Sequence, residues 1–278
     1  MENNCNHDCD QCAEECEERV QPKIEKLKPN EVSHIKKVIG VVSGKGGVGK
    51  SFVTALLASH LSNQGFHVGV IDADITGPSM PKMFGIHGKA KDCDFGILPL
   101  KSMKGIDVMS INLLIPNETD PVVWRGPLLS SAVSQFFTEV VWKDIDYLLI
   151  DMPPGTADVS LTVFQSLPVD GIIIVTSPQE LVSMIVEKSV KMANRLSIPI
   201  LGVVENMSYY ICPACQKPHH PFGLSKLEEL SHTYHIEAIA KLPILREYAI
   251  AADSGKVELL EVKELDPIIE KINLIFEE

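Results

Sequence analysis

Residues 38–51 read VIGVVSGKGGVGKS, and this stretch decides the fold of the chain. Residues 38–42 are an apolar run of strand length, and the helical pattern of residues 52–61 follows the loop directly. The intervening residues 44–51 have the form G-x-x-x-x-G-K-S, in the strand, loop and helix context that a phosphate-binding loop requires. The sequence therefore predicts a nucleotide site.

The predicted loop would bind phosphates largely through its backbone, because glycines let N–H groups turn inward and the start of the helix adds the positive end of its dipole. Lys50 would reach the β- and γ-phosphate oxygens, and the Ser51 hydroxyl would ligate Mg²⁺. A glycine-rich turn without a ligand is the alternative, and the completeness of the motif in its context argues against it. The predicted nucleotide-binding residues of the loop are Gly44, Lys45, Gly46, Gly47, Val48, Gly49, Lys50 and Ser51.

Two acidic loops fit hydrolysis of ATP. Asp72 and Asp74 end one apolar run, and Asp151 ends a later one. Such acids would lie at the carboxyl ends of strands beside the phosphate loop, where sheets of this kind bind ligands. Asp151 is the candidate carboxylate that positions magnesium, Asp72 would assist the metal, and Asp74 would orient or deprotonate the attacking water. The alternative is that these acids only cap helices.

Short β-branched runs alternate with longer segments of helical period along most of the chain. Apolar strands without polar alternation, separated by helices, are typical of a parallel sheet covered on both faces. We therefore predict an α/β fold with a mostly parallel central sheet and helices on both faces. The predicted strands are 38–42, 67–71, 106–111, 147–150, 171–176, 200–204 and 236–242, and the predicted helices are 50–64, 127–142, 178–196, 224–234 and 266–276.

The composition argues against several classes of function. With a formal net charge of −12 and a pI of about 5.2, the chain would be repelled by nucleic acid and by an anionic membrane surface. No run approaches the roughly 18 consecutive apolar residues of a membrane span. Residues 1–19 lack the basic and apolar regions of a signal peptide. We therefore expect a cytoplasmic protein with no nucleic-acid or membrane partner, whose clustered cysteines are metal ligands or redox groups.

The chain is expected to have two parts. Residues 1–37 form a Cys-rich N-terminal segment and linker, since the first 18 residues hold four cysteines and seven acids but no Lys or Arg. Residues 38–278 form the ATPase domain, with a C-x-x-C loop at 206–223.

Lys45 follows the first glycine of the loop and gives the form K-G-G-V-G-K-S, which resembles the deviant Walker A signature. The family with this signature includes septum-site ATPases, partition ATPases, the nitrogenase iron protein and the Mrp (ApbC-like) cluster carriers. Ala157 stands where the carriers usually have glycine. The resemblance is to the Mrp group in particular at residues 72–79 (DADITGPS), 124–127 (WRGP), 151–158 (DMPPGTAD), 205–208 (ENMS) and 212–215 (CPAC).

This resemblance implies an iron-sulfur cluster carrier that hydrolyses ATP, works as a homodimer and delivers its cluster to apo iron-sulfur proteins. It also implies a catalytic role for Lys45, which would reach across the dimer interface to the partner's nucleotide. Asn206 would contact the adenine. The implied cofactors are ATP, Mg²⁺ and a 4Fe-4S cluster.

Cys212 and Cys215 are the cysteines that the resemblance assigns to the cluster, with the pair from each subunit holding it across the dimer axis. By spacing alone, two thiolates cannot complete a four-ligand site, so another part of the chain or a second copy must contribute. The alternative is a zinc knuckle completed by His219 or His220, because C-x-x-C-x-x-x-H is an acceptable zinc spacing.

A second cluster is predicted at the N-terminal cysteines, whose spacing is C-x3-C-x2-C-x3-C. On one straight helix the outer two would stand about 16 Å apart, so a single site requires a bent or looped segment. Related carriers with an N-terminal four-cysteine cluster have a longer first spacing, and this sequence departs from them. Zinc, or a flexible thiol tail that accepts a cluster transiently, are the alternatives. The cysteines are Cys5, Cys9, Cys12 and Cys16.

The predicted mechanism places ATP and magnesium between two subunits, with Lys45 and the 72–74 loop closing over the phosphates. Residues 151–158 would then convey the nucleotide state to the thiols. One rival reading is a nucleotide-controlled dimeric switch protein with a structural zinc site. Another is an ATP-dependent electron donor resembling the nitrogenase iron protein.

Overall fold

The computed structural model describes residues 25–75, 77–117, 126–155, 158–179 and 182–277. The described elements alternate between strands and helices, and the predicted α/β class is confirmed. The strands β1 to β11 are His34–Ser43, Val68–Asp72, Lys91–Cys93, Gly96–Leu98, Leu100–Lys101, Asp107–Met109, Asp144–Asp151, Gly171–Thr176, Ile200–Ile211, Pro218–His219 and Ile239–Pro243. The helices α1 to α8 are Lys50–Asn63, Met80–Met83, Gly126–Thr138, Asp158–Ser166, Val182–Leu196, Leu227–Tyr234, Arg246–Asp253 and Asp266–Glu277.

Within the described ranges, nine strands form the main sheet, in the order β10-β9-β8-β1-β7-β2-β6-β5, with β11 also paired to β9. β1 runs parallel to both of its neighbours, β7 and β8. Antiparallel pairs occur at the two margins, between β5 and β6 and between β9 and β10. The carboxyl ends of β1, β2, β7 and β8 therefore meet along one edge of the sheet, where ligands bind in folds of this kind.

The sheet buries apolar side chains on both faces, as alternation along a strand requires. In β1, Val38 and Val42 belong to one core cluster while Ile39 and Val41 belong to the other. Helices α3, α4, α5 and α6 cover the first face, and α1, α2 and α8 contribute to the second. Among the described residues, no helix combines the length and the apolar character that a membrane crossing needs.

Several element boundaries differ from the prediction. β1 begins at His34, before the predicted boundary at residue 38, because its early residues pair with β7. The described part of the predicted linker also contacts the domain: Lys26 Nζ donates to the carbonyl of Phe164 at 2.7 Å. Partial burial there lowers the pKa of Lys26. The part of the predicted linker around Lys26 therefore packs against the domain.

Three of the predicted helices are clearly shorter than expected, and one of them is α5, which begins at Val182 instead of residue 178. α3 ends at Thr138, because Val140 bridges to Ile97 and Trp142 Nε1 donates back to the carbonyl of Phe136 at 3.0 Å. α6 begins at Leu227 instead of residue 224. α4 and α7 have no counterpart in the prediction, because each is a short segment near Pro or Gly residues.

β9 is longer than predicted and continues from Ile200 through Ile211. Its central residues are polar. Glu205 Oε1 accepts a hydrogen bond from Ser208 Oγ at 2.6 Å, whereas its buried Oε2 has no partner among the described residues. Asn206 Nδ2 donates to the carbonyl of Val48 at 2.9 Å. This extension carries the strand directly to Cys212.

Candidate functional site

The phosphate loop lies between β1 and α1, at the carboxyl edge of the sheet. Gly47 and Gly49 adopt φ angles of +80° and +81°, in the left-handed region that favours glycine. A Cβ atom at Gly49 would lie 2.2 Å from Asn206 Nδ2, so any other residue at this position would force the Asn206 side chain to move. Among the described residues, no side chain caps the first turn of α1. The loop thus presents backbone N–H groups of the kind that bind phosphate.

Lys50 and Asp151 form a buried ion pair at the base of this loop. Their side chains are 5% and 0% exposed, and Lys50 Nζ lies 2.6 Å from Asp151 Oδ1. The same carboxylate accepts hydrogen bonds from Ser51 Oγ at 2.6 Å and from Thr54 Oγ1 at 2.9 Å. The structure therefore brings together the lysine, the hydroxyl and the carboxylate that the sequence predicted for phosphate and magnesium.

Asp72 is fully buried behind the loop. Its Oδ2 accepts hydrogen bonds from the backbone N–H groups of Ser79 and Met80 at 3.0 and 3.1 Å, and from Ser110 Oγ at 3.2 Å. Its Oδ1 has no hydrogen-bond partner among the described residues. Burial, and next the charge of Asp151, raise the pKa of Asp72 to about 7. Near neutral pH the Asp72 carboxyl can therefore hold a proton, and a cation bound nearby would favour its release.

Asp74 lines a cavity of about 240 Å³ at the mouth of the loop. Gly46 to Phe52, Ser79 and Pro154 form other parts of its wall. The two aspartates thus occupy different positions, because Asp74 lines this cavity whereas Asp72 is fully buried and does not.

A second, mainly apolar cleft of about 270 Å³ adjoins the first, and Phe52 lines both. Asn206, which the resemblance assigns to adenine, lies in its wall. The ring of Tyr248 packs against Phe52 with centroids 5.3 Å apart. The α7 side of this cleft was not predicted from the sequence, although the apolar run LPIL at 242–245, at the end of a predicted strand, was a signal for it. The missed residues are Pro243, Ile244, Leu245, Tyr248, Ala249 and Ala252.

Lys45 projects from the loop to a different partner. Its Nζ contacts Gln179 Oε1, just after β8. Gln179 in turn lines a cavity with the buried Glu205 of β9. Within one copy of the chain, Lys45 therefore points away from Lys50, which faces Asp151.

Cys212 and Cys215 lie at the tip of the hairpin formed by β9 and β10. The N–H groups of Cys215 and Ala214 point at the Cys212 sulfur and lower the pKa of that thiol. Cys212 N–H donates to the carbonyl of Lys217 at 3.0 Å, which closes the turn. His219 approaches the pair, with Nε2 3.8 Å from Cys215 Sγ.

Some predicted site residues are not brought together with these. Asn206 lies within β9 and Cys212 follows its last residue, so the six-residue step between them separates the nucleotide and thiol sites by at most about 20 Å. Trp124 and Arg125 of one resembling stretch, and Ala157 of another, lie outside the described residues. The predicted second cluster also lies outside them, at Cys5, Cys9, Cys12 and Cys16.

Comparison with known proteins identifies the family. The family model of the NUBPL iron-transfer P-loop NTPases, of ParA type, matches residues 34–278. The iron-sulfur cluster carrier protein of Clostridium perfringens is 47% identical over 233 residues, covering 81% of this chain and 82% of the relative. The carrier protein of Methanocaldococcus jannaschii is 42% identical over 279 residues, covering 96% of each.

Solved structures agree with this result. A nucleotide-binding protein of Archaeoglobus fulgidus, in complex with ADP and with cobalt found, is 43% identical. It covers 84% of this chain and 91% of its own, with a TM-score of 0.76. The MinC:MinD complex of Aquifex aeolicus, at 20% identity and a TM-score of 0.61, shares the fold. The family-level resemblance found in the sequence is thus confirmed: this chain belongs to the iron-transfer P-loop NTPases, the family of the iron-sulfur cluster carriers.

Proposed function

We propose that this protein binds and hydrolyses Mg-ATP, and that two copies together hold a 4Fe-4S cluster for delivery to apo-proteins. The names of the relatives support carriage of a cluster, and the ADP in the Archaeoglobus fulgidus relative supports a nucleotide in the loop. The observation that carries the proposal is the course of β9. Its Asn206 donates to Val48 in the phosphate loop, and the same strand leads directly to Cys212.

The residues of the loop fit a magnesium nucleotide. The uncapped start of α1 offers backbone donors, and Lys50 offers a cation beside them. The Ser51 hydroxyl and the Asp151 carboxylate lie 2.6 Å apart, so one would bind magnesium and the other a water of its shell. The buried Asp72 Oδ1 could accept a hydrogen bond from a further water. The adjoining apolar cleft fits the base.

Hydrolysis would proceed by attack of water on the γ-phosphorus, as the bond to the β,γ-bridging oxygen breaks to give ADP and phosphate. Magnesium, when bound, would neutralise charge on the phosphates. Lys50 would stabilise the γ-phosphate oxygens. Asp74, which lines the cavity mouth, would orient the water and accept its proton. Lys45 would leave Gln179 to contact the nucleotide of a second copy.

The cluster is the cargo in this proposal, and its binding is incomplete in one chain. Cys212 and Cys215 supply two thiolates, whereas a 4Fe-4S cluster takes four. A second copy supplies the other pair. Delivery is then ligand exchange without redox change, in which thiolates of the recipient replace Cys212 and Cys215 on iron. The hairpin tip suits this exchange because Cys215 is exposed.

Anaerobic reconstitution with iron and sulfide tests the proposal. We expect a brown dimer with about two irons per chain at the bridging site, since one 4Fe-4S cluster is shared by two chains. Transfer to an apo-protein is then measured with ATP, without ATP, and with Lys50→Ala. Equal transfer in all three would refute coupling to the nucleotide, and a cluster-free monomer would refute the carrier function itself.

We also propose that the N-terminal cysteines hold a second cluster, on the strength of their spacing alone. To test this, Cys9 and Cys12 are both changed to Ser and the iron content per chain is compared with that of the unchanged chain. Unchanged iron content would remove the second site.

A further inference from the structure

The hairpin tip holds a third potential metal ligand besides the two thiols. The ligand atoms of Cys212, Cys215 and His219 all lie within 4.8 Å of one another. The bridging cluster described above uses two thiolates from each chain and leaves His219 without a role. The imidazole therefore needs a separate explanation.

The position of His219 is fixed by β10. His219 pairs with Tyr210 across the antiparallel β9–β10 ladder. The two rings stack with centroids 5.2 Å apart and planes inclined by 24°. This stacking directs Nε2 toward Cys215 Sγ, at 3.8 Å. His220, the next residue, turns the other way, and its Nδ1 lies 3.2 Å from the carbonyl of Ser208.

The backbone between the thiols is already folded as a tight turn. Gln216 N–H donates to the carbonyl of Cys212 at 2.8 Å, and Gln216 itself adopts a left-handed φ of 56°. This conformation costs free energy for a residue other than glycine. It brings the chain back so that His219 faces the thiols.

The spacing of the three ligand atoms matches a small tetrahedral ion. Zinc-type bonds of about 2.3 Å to sulfur and about 2.0 Å to nitrogen place tetrahedral ligands roughly 3.5 to 3.8 Å apart. The 3.8 Å between Cys215 Sγ and His219 Nε2 already falls in this range. The other two separations, which are at most 4.8 Å, need to contract by about 1.3 Å at most. Two thiolates and an imidazole suit borderline transition metals and do not suit magnesium or calcium.

We propose that a single copy of this chain binds one divalent transition-metal ion of zinc type through Cys212, Cys215 and His219. The fourth position is open to water or an external ligand. This site requires neither a second copy nor a nucleotide. Because the ion and the bridging cluster use the same two thiolates, they exclude each other, and a metal ion bound here blocks loading of the cluster.

Cobalt(II) is the probe for this site, because tetrahedral thiolate coordination gives it intense visible bands and sulfur-to-cobalt charge transfer. The full-length, metal-free chain is titrated anaerobically, with Cys5, Cys9, Cys12 and Cys16 each changed to Ser so that they take up no metal. We expect one cobalt per chain in a monomer, as measured by absorbance and native mass. One cobalt per two chains would overturn the proposal.

His219→Ala and His220→Ala form the matched pair. Because loss of even an outer partner of a metal ligand lowers affinity about 10- to 100-fold, loss of the ligand His219 should lower cobalt affinity at least that much and alter the visible bands. His220→Ala should leave both unchanged. Equal affinity and spectra in the two variants would overturn the role of His219. Both residues are exposed, so folding is expected to survive.

The two proposals can fail separately. His219→Ala should still take up iron and sulfide as the bridging cluster. Zinc added first should prevent this uptake in the unchanged chain, and it should inhibit the uptake less strongly in His219→Ala. If no variant forms a cluster, the carrier function fails while the cobalt result stands. If zinc fails to compete with cluster loading in the unchanged chain, the shared site is refuted.

Discussion

Changing Gly49 to alanine would drive a methyl group into Asn206, because the new Cβ would lie 2.2 Å from Nδ2. Asn206 must then move and give up its 2.9 Å hydrogen bond to the carbonyl of Val48. Gly47 offers a matched control. Its φ of +80° is nearly the same as that of Gly49, but nothing lies within 4 Å of a Cβ placed there.

The magnitudes follow from these contacts. Left-handed backbone costs an alanine about 1 to 2 kcal/mol at either position. At Gly49, displacement of a buried amide that is 6% exposed adds about 1 to 3 kcal/mol for groups left without partners. We therefore expect Gly49→Ala to lower the free energy of unfolding by about 3 kcal/mol and Gly47→Ala by about half as much.

Urea unfolding of the nucleotide-free chain measures both losses, and a double-mutant cycle isolates the contact. Asn206→Ala removes the side chain that the new methyl group would strike. The double variant of Gly49 and Asn206 should therefore cost about 1 to 2 kcal/mol less than the sum of the single changes. Equal losses at Gly47 and Gly49, or strict additivity in the cycle, would refute the close contact between the loop and β9.

Three further predictions concern the same site. Since the pKa of Asp72 rises to about 7, the folded chain holds a proton there that the unfolded chain releases above its lower pKa. The free energy of unfolding should therefore fall by up to about 4 kcal/mol as the pH rises from about 4 to about 7. Asp72→Asn should flatten this dependence when the midpoints of urea unfolding are measured across the same pH range. Lys50→Met leaves Asp151 buried without its cation and should cost about 3 to 5 kcal/mol in nucleotide-free unfolding, with partial recovery when Asp151→Asn is added. Tyr248→Ala opens the apolar cleft beside Phe52. In calorimetry it should weaken the binding of ATP about tenfold and leave the binding of inorganic triphosphate unchanged. Equal weakening of both ligands would contradict a base pocket there.

The phosphate loop was predictable because its information is local. An apolar strand, a glycine-rich turn and a helix follow one another without interruption, and their order alone places Lys50 and Ser51 at the sheet edge. The approach of Asp151 was predictable for a related reason, since the carboxyl ends of parallel strands share that edge. The structure places all three within hydrogen-bonding distance.

The features that were not predicted depend mainly on contacts between segments that are far apart in sequence. The length of β9 was underestimated because Glu205 and Asn206 interrupt its apolar run, and the partner that makes the buried Asn206 amide tolerable, the carbonyl of Val48, is distant in sequence. The wall formed by Tyr248 was missed because α7 is short, with eight residues from Arg246 to Asp253. His219 was one of two candidates by spacing, and its stacking on Tyr210 distinguishes it from His220.

β9 connects the nucleotide site, which its Asn206 contacts, to the thiols at the hairpin tip. Met207 adopts a left-handed φ of 57° within this span, and the register of β9 against β11 shifts between Glu205 and Tyr209. This irregularity, together with the number of residues after Asn206, sets the direction in which the strand carries the thiols, so inserting or removing one residue there would redirect the hairpin tip relative to the phosphate loop. The number of residues in this span is therefore as important to the placement of the thiols as the identity of its side chains.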